Sequence, residues 1–202
     1  MSLFSDTYHQ IERNAEFSLR EKGSKFLAYS FLVSQEQDVK SHLMALKSQF
    51  PDATHHCYAY VIGQDSQSQR ANDDGEPSNS AGRPILRAII SAELTNVLVV
   101  VVRYFGGTLL GIPGLIQAYG ESAIGVLLLS GKVQKMQEET FVISAEFQHE
   151  QEIHRLLNSV DARILDRTYD SGVTYKVAVR KLQVIQFERA AKEAYLLKVG
   201  VS

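Results

Sequence analysis

The chain has 202 residues, 45% of them hydrophobic and 22% charged, an ordinary globular composition that suits one or two domains. A formal net charge of −2 excludes a global basic field for nucleic acid or an anionic membrane. A single cysteine, Cys57, excludes an internal disulfide, and the opening MSLFSDTYHQ has no apolar leader core. No run approaches the ~18 apolar residues of a membrane helix, so the expectation is a soluble cytoplasmic protein.

In chain order, EFSLREKGSKFLAYSFLV alternates as two strands turning at Glu21–Ser24, with Gly23 free to take positive φ. SQEQDVKSHLMALKSQF spaces Val39, Leu43, Leu46 and Phe50 as a helix, capped by Ser34 and ending before Pro51. HHCYAYVIG reads as a strand with Cys57, Ala59 and Val61 on one face, and a polar loop of about twenty residues follows. Pro84 is placed in the first position of a helix over PILRAIISAE. Asn96–Val102 loses all period 2, as a strand buried on both faces does. PGLIQAYGESAIGVLLLSG is a long helix from Pro113 to Gly131.

The texture changes near residue 136, which divides the chain into domains at 1–136 and 137–202. The second reads as strand (Thr140–Phe147), helix (Glu150–Ser159), hairpin (Ala162–Tyr169 and Gly172–Val179), helix (Leu182–Ala194) and strand (Tyr195–Val201). That order is a ferredoxin-like βαββαβ domain, and the fold class is α+β.

Four stretches could carry chemistry. In VVVVRYFGGTLLGIPG a buried strand ends in Arg103 and Tyr104, then Gly106 and Gly107 lead toward a helix. Two readings stand, an anion cradle at a helix start or a glycine loop that lets the helix pack tightly. Neither standard nucleotide-binding spacing is met. In RANDDGEPSNSAGRP, Asp73, Asp74 and Glu76 lack the alternating pattern of a calcium loop and also make good turn chemistry, so no metal or cofactor is expected. Arg83 and Arg103 fall where they could partner these carboxylates. In THHCYAY, His56 and Cys57 point to opposite faces; His55 shares a face with Cys57, but the cysteine is expected to be buried and structural. In the C-terminal hairpin, Lys176 and Arg180 lie opposite Tyr175, Val177 and Val179. With Arg163 and Arg167 they compose either a basic open sheet face of the kind that binds RNA or a merely solvated one.

THHCYAYVIG, DDGEPSNSAGRPIL and NVLVVVVRYFGGTLLGIPGLIQAYGESA, in that order, resemble the signature segments of the IMPACT family, and the chain resembles its bacterial YigZ branch over essentially its full length. Asn79 departs from the small residue the pattern has after EPS. The resemblance implies an N-terminal domain like the second domain of ribosomal protein S5 and a C-terminal one like the last domain of elongation factor G. It also implies a role in translation, since eukaryotic members compete for a ribosome-associated activator of a stress kinase. It supplies no catalytic residue.

The sequence therefore reads as a translation-associated binding protein whose partner is the ribosome, RNA or a translation-associated protein, and not a membrane. The loop 64–82 and the turn 104–112 are expected to enclose a groove on one edge, with Asp73, Asp74, Glu76, Arg83, Arg103, Tyr104, Gly106 and Gly107 as its residues, and the C-domain sheet assisting. The alternative is a hydrolase or other enzyme using the Asp73–Glu76 loop with Arg83 and Arg103.

Overall fold

Strand β6 (Val97–Tyr104) sets the layering of the first unit. Its odd residues Val97, Val99 and Val101 enter one core, and Leu98, Val100 and Val102 enter another on the opposite face. This double burial is why the sequence shows continuous β-branched residues with no polar alternation.

The computed structural model describes residues 6–201 and forms two compact units, Tyr8–Lys135 and the chain from Met136, which is joined by Asp6 and Thr7. The first five residues, half of the stretch read for a leader, lie outside the described residues. The result is a mixed α and β protein with several sheets.

In the first unit β1 (Thr7–Ile11) pairs with β7 (Lys132–Met136), two short strands that the sequence reading missed. The main sheet combines β2 (Ala15–Glu21), β3 (Ser24–Leu32), β4 (His55–Ile62), β5 (Ser68–Asn72) and β6 in the antiparallel order β2-β3-β6-β4-β5. Helix α1 (Glu36–Gln49) covers one face. Helices α2 (Gly82–Ser91) and α3 (Gly111–Ser130) cover the other. Cys57, Ala59 and Val61 point together into the α2/α3 core, as their alternation requires.

Several local expectations are corrected. The polar loop after β4 contains β5, whose sequence SQRAN lacks strand formers because it sits at an edge and pairs on one side only. Gln35, not Ser34, is the cap of α1; Ser34 instead donates its backbone N–H and hydroxyl to Asp38. Pro84 and Pro113 each stand at the third helical position, two residues later than placed. α3 is, by length and composition, apolar enough to cross a membrane, contrary to the reading of its sequence. One face of it is core, with Leu115, Ala118, Tyr119, Ser122, Ala123 and Val126 buried.

The second unit has strands β8 (Glu138–Ala145), β9 (Arg163–Tyr169), β10 (Val173–Arg180) and β11 (Lys198–Val201) in the antiparallel order β11-β8-β10-β9. Helices α4 (Glu150–Asn158) and α5 (Val184–Glu193) supply Ile153, Leu156, Leu157 and Phe187 to a core with Tyr175, Val177 and Val179. Arg180 at the end of β10 donates from Nε and Nη2 to the two carboxylate oxygens of Asp6, at 2.8 and 2.9 Å. That guanidinium holds the Asp6 carboxyl below the usual carboxylate range. A carboxyl depressed on folding contributes stability above its unfolded pKa of about 3.9 and loses it as pH falls through its lower folded value. Asp6→Asn is therefore expected to lower the urea midpoint of this unit at pH 7 and to leave the midpoints of parent and variant converging as pH falls below about 4. Amide NMR signals from β10 report the transition.

Candidate functional site

Arg103 lies at the end of β6, directly opposite His55 at the start of β4 and Phe26 near the start of β3. Its side chain turns inward and is almost fully buried. Nη1 donates to Glu76 Oε1 at 2.6 Å and Nη2 to Ser24 Oγ at 3.2 Å, while Nε finds no partner among the described residues. The guanidinium carbon lies 5.4 Å from the Phe26 ring centroid and 5.6 Å from that of Phe105, within cation–π range of both. Glu76 Oε1 also accepts the Tyr119 hydroxyl of α3 at 2.8 Å, and His55 Nε2 lies 3.8 Å from it. A charge at the end of an apolar strand is thus buried with its counterion.

The loop between β5 and α2 is folded to deliver Glu76. Asp73 accepts the backbone N–H groups of Ala81 and Gly82 on one oxygen and of Asn79 on the other, which ties off the start of α2. Asn79, the departure from the family pattern, holds a left-handed φ of 62°, which asparagine tolerates. Asp74 accepts the His56 N–H at 2.7 Å, and its carbonyl meets His55 Nδ1 at 2.8 Å. The glycines serve close approach. A Cβ on Gly106 would overlap the backbone of Gly23, in the β2–β3 turn where Lys22 and Gly23 take φ of 46° and 80°. Ser24 Oγ accepts both Arg103 and the Gly106 N–H, so turn, pair and glycine loop share one atom.

Above this cluster lies a groove of about 410 Å³. Thr54, His55, Glu76 and Arg103 form its polar side, and Phe105, Leu109, Leu110, Ile112 and Leu115 its apolar side. Leu109 is 84% exposed and Ile112 54%. Apolar walls at the start of α3 suit a hydrocarbon group and not an anion, which favours the packing reading of the glycines.

Of the eight residues expected at this edge, Glu76 and Arg103 line the groove. Tyr104 points away and donates to Asp52 at 2.9 Å, and Gly107 sits in open space. Arg83 is exposed on α2 and forms no ion pair among the described residues, so it does not partner the carboxylates as expected. Sequence reasoning places none of Ser24, His55, Phe26 and Tyr119 at this edge; Ser24 following the turn glycine gives a local sign, and His55 is noted only for the face it shares with Cys57. Cys57 is fully buried, its sulfur 3.0 Å from the Asp73 carbonyl and 3.3 Å from the Tyr119 hydroxyl, and burial pushes its thiol pKa up. It is a structural residue. Asp73, Asp74 and Glu76 face three different sets of internal partners, and among the described residues no three His, Cys, Asp or Glu side chains gather to hold a metal.

In the second unit, β9 slips register between Lys176 and Val177, leaving Leu165 unpaired. The bulge changes the phase of the strand. Arg163 stands opposite Ala178 on the face of Lys176, whereas Arg167 stands opposite Tyr175 on the helix face, where its guanidinium lies over the Tyr169 and Tyr175 rings. Arg167 is therefore not a member of the open face. Arg163 is paired with Glu138 at 2.6 Å and Arg180 with Asp6, and Asp166 stands opposite the exposed Lys176. The basic face is largely neutralised.

Residues 22–127, which hold the whole cluster, match the model of the Impact N-terminal domain. The chain belongs to the IMPACT family. It is 33% identical over 181 residues to IMPACT family member YvyE of Bacillus subtilis, covering 90% of this chain and 83% of that one. With IMPACT family member YigZ of Escherichia coli it shares 32% over 168 residues, covering 82% of each. A crystal structure described as that of a hypothetical protein is similar at 28% identity and a TM-score of 0.71, over 97% of both chains.

Breaking a buried ion pair by removing one partner leaves an uncompensated charge, at a cost of about 3–5 kcal/mol, whereas removing both charges is far cheaper. Glu76→Gln is expected to cost about 3 kcal/mol, and the double substitution Glu76→Leu with Arg103→Met less than Glu76→Gln alone. Urea denaturation of the three proteins checks the order.

Proposed function

We propose that this family member is a binding module acting in translation, and that its groove receives an apolar side chain from a protein partner, either a ribosomal protein or a translation factor. The observation that carries the reading is the pairing of exposed Leu109 and Ile112 with a floor whose charges are already satisfied by each other. Exposed apolar side chains gathered beside a groove mark a surface available for protein contact. The translational setting comes from the family resemblance. The α+β units read as an S5 second-domain-like unit and a ferredoxin-like, elongation factor G-like unit, again on resemblance and strand order.

Protein is favoured over RNA because Arg163 and Arg180 are engaged by carboxylates and Arg167 has left the open face. The hydrolase reading finds less support, since the loop's carboxylates are occupied in holding the loop itself. The reading places the protein in the cytoplasm, where ribosomes are.

Co-sedimentation with ribosomes across a salt series tests this. Leu109→Lys, at an exposed position, is expected to weaken binding more than tenfold with little change in thermal stability. Lys176→Ala is expected to leave both affinity and salt slope unchanged. An RNA contact would instead flatten the slope of log affinity against log salt by ~0.7 for each lysine lost on single strands. Binding that survives Leu109→Lys and follows Lys176 would overturn the reading in favour of RNA.

A further inference from the structure

The hydropathy of α3 has a cause beyond its core face. Its outer face is apolar as well. Ile116, Ile124 and Leu128 recur around Gly120 at four-residue intervals, and all three are exposed, Leu128 by 77% and Ile124 by 52%. Beside them runs α2. A Cβ on Gly120 would meet Pro84, and further along Ala88 and Ser91 share a cleft with Ile124 and Leu128, so the two helices run side by side in the same direction. That cleft has a volume of about 530 Å³ and is closed at its base by Leu94 and Leu127. It is separate from the groove over Arg103, and the two share no lining residue.

The charges that α2 carries beside the cleft are of one sign, and the one charged residue of its lining is Lys132. Arg87 stands three residues after Pro84 and four before Ser91, which places it on the stripe of α2 that borders the cleft, and Arg83 is one turn earlier. Both arginines are exposed, and neither has an ion pair or side-chain hydrogen bond among the described residues. Arg13, Arg103, Arg155, Arg163 and Arg180, by contrast, are each paired with a carboxylate. The opposite flank of the stripe carries Glu121, whose carboxylate accepts Gln117 at 2.8 Å. At the far end Lys132 is taken by Glu93 and the Ala92 carbonyl.

We infer that the α2/α3 cleft docks an acidic amphipathic helix of a partner protein. Apolar residues spaced three and four apart on that helix enter the cleft between Ala88 and Ile124, and its carboxylates meet Arg83 and Arg87. This is helix-in-groove recognition with one charged wall. A second copy of the chain is disfavoured, because two-fold apposition of the same face sets arginine against arginine. A bilayer is disfavoured because the apolar surface is a cleft between two helices and not a flat ridge. The inference does not depend on the function proposed for the Arg103 groove.

Selection from a phage-displayed library of sixteen-residue helical peptides tests it, followed by amide NMR mapping on the full chain. Enriched peptides are expected to carry apolar residues at three- and four-residue spacing and a net negative charge, and to shift the amides of Arg87, Ile124 and Leu128. The double substitution Arg83→Glu with Arg87→Glu is expected to weaken them at least tenfold, as is Leu128→Lys, while Leu109→Lys leaves them unaffected. All three variants change exposed side chains and keep the parent spectrum elsewhere. The inference is overturned by any of four results: no enrichment, enrichment indifferent to peptide charge, flotation with phosphatidylserine vesicles that Arg83→Glu with Arg87→Glu abolishes, or a concentration-dependent dimer that Leu128→Lys dissolves.

Discussion

The Arg103–Glu76 ion pair is the constraint on which the first unit depends. A guanidinium and a carboxylate taken out of water cost several kcal/mol each unless geometry and further hydrogen bonds repay it. Here a 2.6 Å contact, the Tyr119 hydroxyl, Ser24 Oγ and two aromatic rings do so. Those groups come from four segments: β6 and the chain just after it, the loop before α2, the β2–β3 hairpin and α3. One charge pair therefore ties four segments together.

From this follows the shape of the surface above it. Asp73 must hold the start of α2 for Glu76 to arrive at Arg103, and Gly106 must lack a side chain for the hairpin turn to bring Ser24 within reach. The chain then returns through Leu109 and Ile112, which find no room below and remain at the rim. On the proposed reading, that exposed apolar edge, and not the buried pair below it, is what a partner protein meets.

How much of this the sequence disclosed depended on the range of the interaction. The run Val97–Val102 announced a strand buried on both faces because burial leaves its mark residue by residue. Cys57 declared its face through Ala59 and Val61. The hairpin at Lys22–Gly23 was visible in its turn residues. Glu76, by contrast, looked like one more acidic turn residue, since its partner is 27 positions away and nothing local distinguishes a buried carboxylate from a solvated one. Strand β5 hid in a polar segment because an edge strand with exposed side chains has no apolar alternation to display. Arg167 was placed on the wrong face because a single-residue bulge at Leu165 reverses the phase of everything after it, and bulges leave no periodic signal. The apolar outer face of α3 was legible in composition, but the segment reads only as a long helix.

The central claim is that one buried pair closes the hairpin turn, the acidic loop and the glycine loop as a unit, and native-state hydrogen exchange tests it directly. The amides of Ala81 and Gly82, held by Asp73, and of Gly106, held by Ser24, are predicted to open with a common free energy. Glu76→Gln should lower that energy by the same amount at all three while amides in the middle of α1 keep theirs relative to the global transition. Three unrelated opening energies, or a change confined to the loop that carries Glu76, would contradict the account.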